Sequence, residues 1–199
     1  MKLIKRILAA ALAAVMLLIL FGCAQKDKPG DALVLTEAQK QRICTLAGAF
    51  LKFGPCDMKN GMQVTGFERI IYCLYTNKLG ESEAEGYGKV TVEETDEAVD
   101  SVFKGIKILD IFRTKYDVNK EQELYRVGDY YYVRLSNEDV SCDIRSAEQL
   151  TDEKGRTTGV KASVAVSVNG VPTAVVTLEM PFEEKYEFSV TSCSITEVL

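Results

Sequence analysis

The sequence predicts an α+β fold in which N-terminal helices precede an antiparallel sheet. Two observations support this prediction. Apolar residues recur at helical spacing up to about residue 106, and they recur at every second position beyond it. Helices first and strands afterwards is the order typical of α+β domains, whereas α/β folds alternate the two.

The first predicted helix lies in LTEAQKQRICTLAGAFLKFG. Thr36 is its candidate N-cap, Gln39 completes a capping box, and Gly54 and Pro55 are its stop signals. Its apolar face has the spacing i, i+3, i+4, i+7 and i+8 and consists of Ile43, Leu46, Ala47, Phe50 and Leu51. This spacing predicts an amphipathic helix packed on a core.

Two further helices are predicted, separated by an acidic loop. The segment GFERIIYCLYTNKLG has the same period and ends near Gly80; its apolar face is Phe67, Ile70, Ile71 and Leu74. ESEAEGYG is predicted as a loop, since Gly86 to Lys89 lacks the spacing of a phosphate-binding loop. The third helix, TDEAVDSVFKG, has Thr95 as candidate N-cap and an apolar face of Val99, Val102, Phe103 and Ile106.

The sequence pattern of the C-terminal half predicts a series of antiparallel strands. QELYRVGDYYYVRL fits a hairpin that turns at Gly128 and Asp129. CDIRSAEQL is a further strand, followed by TDEKGRTTG as a long exposed loop, and NGVP turns the chain into TAVVTLEM. VKASVAVSVNG alternates strictly, with one face formed by Val160, Ala162, Val164, Val166 and Val168. KYEFSVTSCSITEV is the closing strand, with Tyr186, Phe188 and Val190 on one side.

This order of elements resembles the cystatin-like and NTF2-like cone folds, in which a curved antiparallel sheet wraps a long helix. The resemblance implies a curved sheet whose concave face holds any pocket. The same order also resembles a family of exported inhibitors of bacterial cell-wall endopeptidases.

The first residues form a candidate export signal. Lys2, Lys5 and Arg6 precede an uncharged run that continues to Ala24. The run is close in length to a membrane span of about 20 residues, but the basic start and small-residue end favour a cleaved signal over an anchor helix.

The run ends in Leu20, Phe21, Gly22 and Cys23, which resembles the lipobox of bacterial lipoproteins. The resemblance implies cleavage before Cys23 and a diacylglycerol thioether on its sulfur. We therefore expect a signal peptide at residues 1–22, a lipidated Cys23 and tether at 23–32, and a single α+β domain at 33–199. Either bacterial membrane, cytoplasmic or outer, is compatible with this sequence.

Composition and charge exclude several classes of protein. Residues 1–22 contain three basic and no acidic residues, so the formal charge of -5 becomes -8 without them. Such an acidic chain is a poor nucleic-acid binder. Histidine is absent, which excludes Ser-His-Asp and Cys-His catalysis and His-ligated zinc. Ser101 to Lys104 fits S-x-x-K, but the companion motifs are missing. No catalytic residue, metal or cofactor is therefore predicted.

Five cysteines follow Cys23, an odd number that permits at most two disulfides within the chain. They are Cys44, Cys56, Cys73, Cys142 and Cys193. Small buried thiols are the simpler interpretation. If one bridge forms, we favour Cys44 with Cys73, since both lie on predicted helices; the other connectivities stay open.

One aromatic cluster, Tyr130 to Tyr132, is of functional interest. On a strand Tyr130 and Tyr132 share a face and Tyr131 takes the other. Packing within the sheet is the ordinary role of such residues. If a pocket exists, we expect the concave side of the sheet to hold it, lined by some of Tyr125, Tyr130, Tyr132, Val164 and Val166. The three tyrosines are the candidates for facing a ligand.

The sequence therefore predicts a non-enzymatic binding or accessory module, attached to the membrane through Cys23. Its partner would be an envelope protein or a wall component. One alternative is an inhibitor of a wall endopeptidase that uses the acidic loops at residues 81–85 and 152–154. A second alternative is an enzyme that works without histidine.

Overall fold

The computed structural model describes residues 33–57, 67–104, 123–184 and 187–197. These residues form three helices and two antiparallel sheets, so the predicted α+β class is confirmed. The likeness to a cone fold stays a prediction. The helices are α1 (Glu37–Phe53), α2 (Phe67–Tyr75) and α3 (Val92–Val102).

The larger sheet has six strands, in the order β1-β9-β7-β6-β5, with β8 paired to β7. Its strands are β1 (Cys56–Asp57), β5 (Val140–Thr151), β6 (Thr157–Val168), β7 (Val171–Glu183), β8 (Glu187–Phe188) and β9 (Ser192–Glu197). The predicted alternation in β6 is confirmed: Val160, Ala162, Val164 and Val166 are buried, while Lys161 is exposed. The predicted turn at Asn169 and Gly170 joins β6 to β7.

The smaller sheet has three strands in the order β2-β4-β3. These strands are β2 (Tyr87–Thr91), β3 (Leu124–Val127) and β4 (Tyr130–Arg134). The predicted hairpin at Gly128 and Asp129 is confirmed, because Val127 pairs with Tyr130 across the turn. Gly128 has a φ of 59°, a left-handed conformation that glycine adopts without steric cost.

One hydrophobic core joins both sheets and all three helices. The buried face of α1 lies on β5, β6 and β7, and its Phe50 meets Phe103 edge to face at 5.8 Å between ring centroids. Tyr131 and Val133 bring the smaller sheet into the same core. The α1 face predicted from spacing is confirmed at Ile43, Leu46, Ala47 and Phe50, while Leu51 is only half-buried.

The start of the third helix was predicted wrongly. Thr91, not Thr95, is the N-cap of α3; its hydroxyl accepts from the Glu94 backbone N–H, and the Glu94 side chain accepts from the Thr91 N–H. Thr95 is buried one turn inside the helix, where its hydroxyl donates to the Val92 carbonyl at 2.7 Å. The capping box at Thr91 satisfies two helix donors at once, which Thr95 cannot do.

Three other boundaries differ from the prediction. Residues 87–89, predicted as loop, belong to β2, because residues 87–91 pair with the whole of β4. The loop predicted at TDEKGRTTG shortens to residues 152–156, since β5 and β6 pair as far as Thr151 and Thr157. The closing strand splits into β8 and β9, and Val190 between them donates its N–H to the Val102 carbonyl.

The lipobox with Cys23, the side chain of Phe67, and Ile106 and Tyr186 lie outside the residues that the structure describes. Ile70, Ile71 and Leu74 of α2 are buried as predicted, and α2 ends at Tyr75 instead of near Gly80. Within the described ranges, the helices are too short or too polar for any of them to cross a bilayer.

Candidate functional site

A cleft of about 400 Å³ lies between α1, the end of α2 and the start of β5. Its first wall is one side of α1, where the helical spacing of three or four residues places Gln41, Cys44, Thr45, Gly48 and Lys52 together. The opposite wall comes from α2 and the turn after it, with Cys73, Leu74, Asn77 and Lys78, and from residues 138–142. The volume is within the range of small-molecule sites, roughly 300 to 1,000 Å³.

The loop at residues 135–139, which supplies Glu138 and Asp139 to the opposite wall, is held by hydrogen bonds. The Ser136 N–H donates to the Thr76 carbonyl at 2.9 Å, and the Asn77 amide donates to the Glu138 carbonyl at 2.9 Å. Asp139 exchanges two bonds with Asn169, whose side chain accepts from the Asp139 N–H and whose own N–H donates to the Asp139 carbonyl. A wall fixed this way loses little conformational freedom when a ligand binds.

Gly48 brings α1 close to β5 beside the cleft. A Cβ at this position would lie 3.3 Å from Cγ1 of Val140, which is tight contact. Glycine in the interior of a helix costs about 1 kcal/mol relative to alanine. A Cβ at this position would require the Val140 side chain to shift by a few tenths of an ångström.

The cleft carries charges of both signs. Lys52 donates to the Glu138 carboxylate at 2.5 Å, and 15% of the lysine side chain is exposed. This hydrogen bond is the main cause that holds the pKa of Glu138 below its usual range. Lys78 and Asp139 add a second cation and a second anion to the lining. The cleft is therefore balanced in charge, with an apolar floor that includes Ala49, Leu74 and Val140.

Three of the cysteines, Cys44, Cys73 and Cys142, line the cleft as free thiols. Burial raises the pKa of Cys73 to about 12 and that of Cys142 to about 11. A catalytic cysteine needs a lowered pKa, because the thiolate is the nucleophile. The raised pKa values therefore do not support catalysis by a cysteine nucleophile. Among the described residues, no group of three or more acidic or cysteine side chains is placed to hold a metal ion.

The tyrosines predicted to face a ligand lie elsewhere, on the outer side of the smaller sheet. Tyr125 and Tyr132 are cross-strand partners with parallel rings whose centroids are 4.9 Å apart, and both are largely buried. Tyr130 is 41% exposed, whereas Tyr131 is 2% exposed and faces the core, as the alternation predicts. The ligand-facing role of Tyr125, Tyr130 and Tyr132 stays a prediction.

Val164 and Val166 do not join these tyrosines. Both valines are fully buried in the main core, whereas Tyr87, Tyr125 and Tyr132 form a separate cluster. The structure therefore separates the valines from the tyrosines among the residues that were candidates for lining a concave pocket. The physical reason is that the strands divide between two sheets, so the inner face of β6 meets α1 and not the tyrosine hairpin.

Lys89 and Glu83 complete the tyrosine face. The Lys89 ammonium lies 4.3 Å from the Tyr130 ring centroid, a cation–π distance, and donates to Glu83 at 2.7 Å. The Tyr132 hydroxyl donates to the same Glu83 oxygen at 2.6 Å. These two side-chain hydrogen bonds lower the pKa of Glu83 to about 2.

Both acidic loops of the sequence prediction are hydrogen-bonded internally. In the first, Glu81 accepts from the Gly86 N–H, Ser82 donates to the Tyr87 carbonyl, and Glu83 binds Lys89. In the second, Asp152 accepts from the N–H groups of Lys154 and Arg156 and from the Arg156 side chain. Each loop therefore has a defined conformation.

Comparisons with protein-family models, curated proteins and solved structures found no match for this chain.

The cleft was missed by sequence reasoning because its walls are far apart in the chain. Cys44 and Cys142 are separated by 98 positions, and no motif links them. The one local signal was the polar side of α1, where Gln41, Thr45 and Lys52 share helical spacing.

Proposed function

We propose that this protein is a non-enzymatic binding module of the bacterial envelope that takes a small zwitterionic ligand, an amino acid or short peptide, in the α1/α2/β5 cleft. The observation that carries the proposal is the cleft itself, which combines a volume of about 400 Å³ with an apolar floor and charges of both signs. A ligand carboxylate would pair with Lys78, and a ligand ammonium with Asp139. Gln41 and Thr45 supply amide and hydroxyl groups for orientation.

Rigidity supports this proposal. Binding sites gain affinity when their walls are already ordered, and the 135–139 loop is fixed to both α2 and the β6/β7 turn. The raised thiol pKa values favour binding over catalysis.

The location of the module is proposed on the lipobox resemblance. A diacylglycerol on Cys23 would hold the domain at a membrane surface, since a lipid anchor with two chains is stable where one chain is only marginal. Detergent-partition analysis of wild type against Cys23→Ala tests this part. The wild type should enter the detergent phase and the variant should not; equal partition of the two would contradict the anchor.

Calorimetric titration of the full chain in detergent tests the ligand. The probes are an alanine dipeptide with free termini and the neutral amino sugar N-acetylglucosamine. We expect saturable binding of the dipeptide only. Thr45→Phe places an aromatic ring in the cleft and should abolish binding, because Thr45 lines it.

The matched control is Thr196→Phe, the same change on an exposed position of β9. It should bind the dipeptide as the wild type does. Dipeptide binding that survives Thr45→Phe would remove the cleft from the proposal, and binding of the sugar instead would change the ligand class.

Inhibition of a wall endopeptidase is the second candidate, favoured by the defined conformation of the 81–85 loop. A protease inhibitor needs a rigid surface element, and Glu81, Glu83 and Ser82 all brace this loop. Recovery of a wall hydrolase from envelope extract by wild type, and not by a Glu81→Gln/Glu85→Gln variant, would support it. A lysis rate that is unchanged when the protein is added to autolysing cells would remove it.

A further inference from the structure

We propose that Cys44 with Cys142, and Cys56 with Cys193, are two disulfide sites, and that Cys73 is left as the single thiol of the domain. The inference goes beyond the proposed function, because it concerns the covalent state of the fold and holds whatever the cleft binds. It also replaces the pairing of Cys44 with Cys73 that helix position suggested.

Cys44 and Cys142 meet across the cleft wall. Cys44 lies on α1 and Cys142 on β5, and their thiols hydrogen bond with each other. In addition, the Cys142 sulfur lies 3.4 Å from the Cys44 carbonyl oxygen. The two side chains are therefore neighbours, as a disulfide between them requires. The bridge would join α1 to the edge strand of the larger sheet.

Cys56 and Cys193 face each other across two paired strands. They are direct partners in the antiparallel pairing of β1 with β9. Opposite residues in such a pair have Cα atoms about 4.5 or 5.5 Å apart, depending on the hydrogen-bonding position. Both values are within the disulfide range of about 4.4 to 6.8 Å. The Cys56 sulfur also hydrogen bonds with the Cys193 backbone.

The Cys56 to Cys193 bridge would secure a short attachment of the larger sheet. β1 contains only two residues, so its pairing with β9 rests on few hydrogen bonds. Cys73 has different surroundings: Arg69, which hydrogen bonds with it, and the charges of Glu123 and Lys52. The cysteine count agrees, since five thiols give two bridges and one remainder.

The chemistry is thiol–disulfide exchange with a disulfide oxidant such as oxidised glutathione. One protein thiolate attacks the oxidant and forms a mixed disulfide, and the second thiolate displaces the bound half. Each pair loses two protons and two electrons and forms one S–S bond, while the oxidant is reduced to two thiols. Burial raises the pKa of Cys56 to about 11 and of Cys193 to about 12, so exchange in the folded chain is slow.

Disulfide mapping of the full chain tests the proposal. The reduced, denatured protein is refolded in detergent with a reduced and oxidised glutathione buffer, then blocked with N-ethylmaleimide and digested without reductant. We expect two cross-linked peptide pairs, Cys44 with Cys142 and Cys56 with Cys193, and alkylation of Cys73. A peptide that links Cys44 to Cys73, or alkylation of all five cysteines, would overturn the inference.

Matched serine variants sharpen the result. Cys142→Ser should free Cys44 for alkylation and leave the Cys56 to Cys193 peptide in place, whereas Cys73→Ser should change neither bridge. Loss of both bridges in Cys73→Ser would also overturn the assignment. The same mapping on protein that is alkylated directly in bacterial envelopes tests export separately. If the refolded sample has both disulfides but the protein in the cell has free thiols, the proposed envelope location would be contradicted and the proposed cysteine pairs would not.

Discussion

Gly159 offers a quantitative test of the fold. Replacing it with alanine should destabilise the larger sheet, although alanine has a higher strand propensity than glycine. Gly159 on β6 is paired with Pro181 on β7, and an added Cβ would lie 2.4 Å from the Met180 carbonyl oxygen and 2.6 Å from the Pro181 Cα. These atoms are backbone and cannot rotate away, so the two strands would have to move apart to restore van der Waals contact. Overpacking of this kind costs about 3 kcal/mol at the upper end of its usual range. For a domain of this size, that free energy corresponds to a fall in Tm of about 6 to 12 °C.

The assay is urea unfolding of wild type, Gly159→Ala and Gly80→Ala. Gly80 is the matched control, since a Cβ there meets no atom within 4 Å and its φ is not in the left-handed region. Gly80→Ala should change the free energy of unfolding by less than about 1 kcal/mol. The midpoint should fall for Gly159→Ala with the slope unchanged. Equal stability of the two variants would refute the close approach of β6 and β7.

Three further outcomes are expected. Thr91→Ala should lower stability by about 1 kcal/mol in thermal unfolding, because it removes the capping box of α3, and Thr91→Ser should restore it. The Glu83 carboxyl should titrate near pH 2 by NMR, and Lys89→Met should raise that midpoint; the stabilising effect of these hydrogen bonds is present above the ordinary pKa and lost as pH falls towards 2. The fully reduced protein should lose stability as pH rises from 9 to 12, because burial raises the pKa of Cys73 and Cys193. In that range the folded state retains thiol protons that the unfolded state releases. A free energy of unfolding that does not change with pH would contradict the burial of these thiols.

Local signals were predicted well and boundaries that depend on distant strands were not. The start of α1 follows from Thr36 and Gln39 alone, and the hairpin turn follows from Gly128 and Asp129. The T-x-x-E signal at Thr91 was equally local, but Thr95 was taken as the N-cap and residues 86–89 were interpreted as loop. Only pairing with β4, about 40 residues further along the chain, makes that segment a strand.

The candidate site was harder to predict, for a related reason. Alternation along β6 correctly identified its buried face, but it carries no information on which sheet or helix covers that face. The tyrosines and Val164 were therefore assigned to one surface, although Val164 lies under α1 and Tyr132 packs on Tyr125. An alternation of period two shows which face of the sheet a side chain lies on, but it does not show which element packs against that face.

The cysteine pairing, too, depends on contacts between segments that are distant in the chain. Sequence spacing does not determine their pairing, because a disulfide between any two of the five cysteines is compatible with the sequence. In the fold, Cys44 of α1 contacts Cys142 of β5, and Cys56 of the two-residue strand β1 faces Cys193 of β9. Both pairs bind an early segment of the chain to a late one, so oxidation would stabilise the folded state chiefly by restricting the unfolded chain. Because the first pair also lines the cleft, the same bond would fix the distance between α1 and β5 on which ligand fit depends.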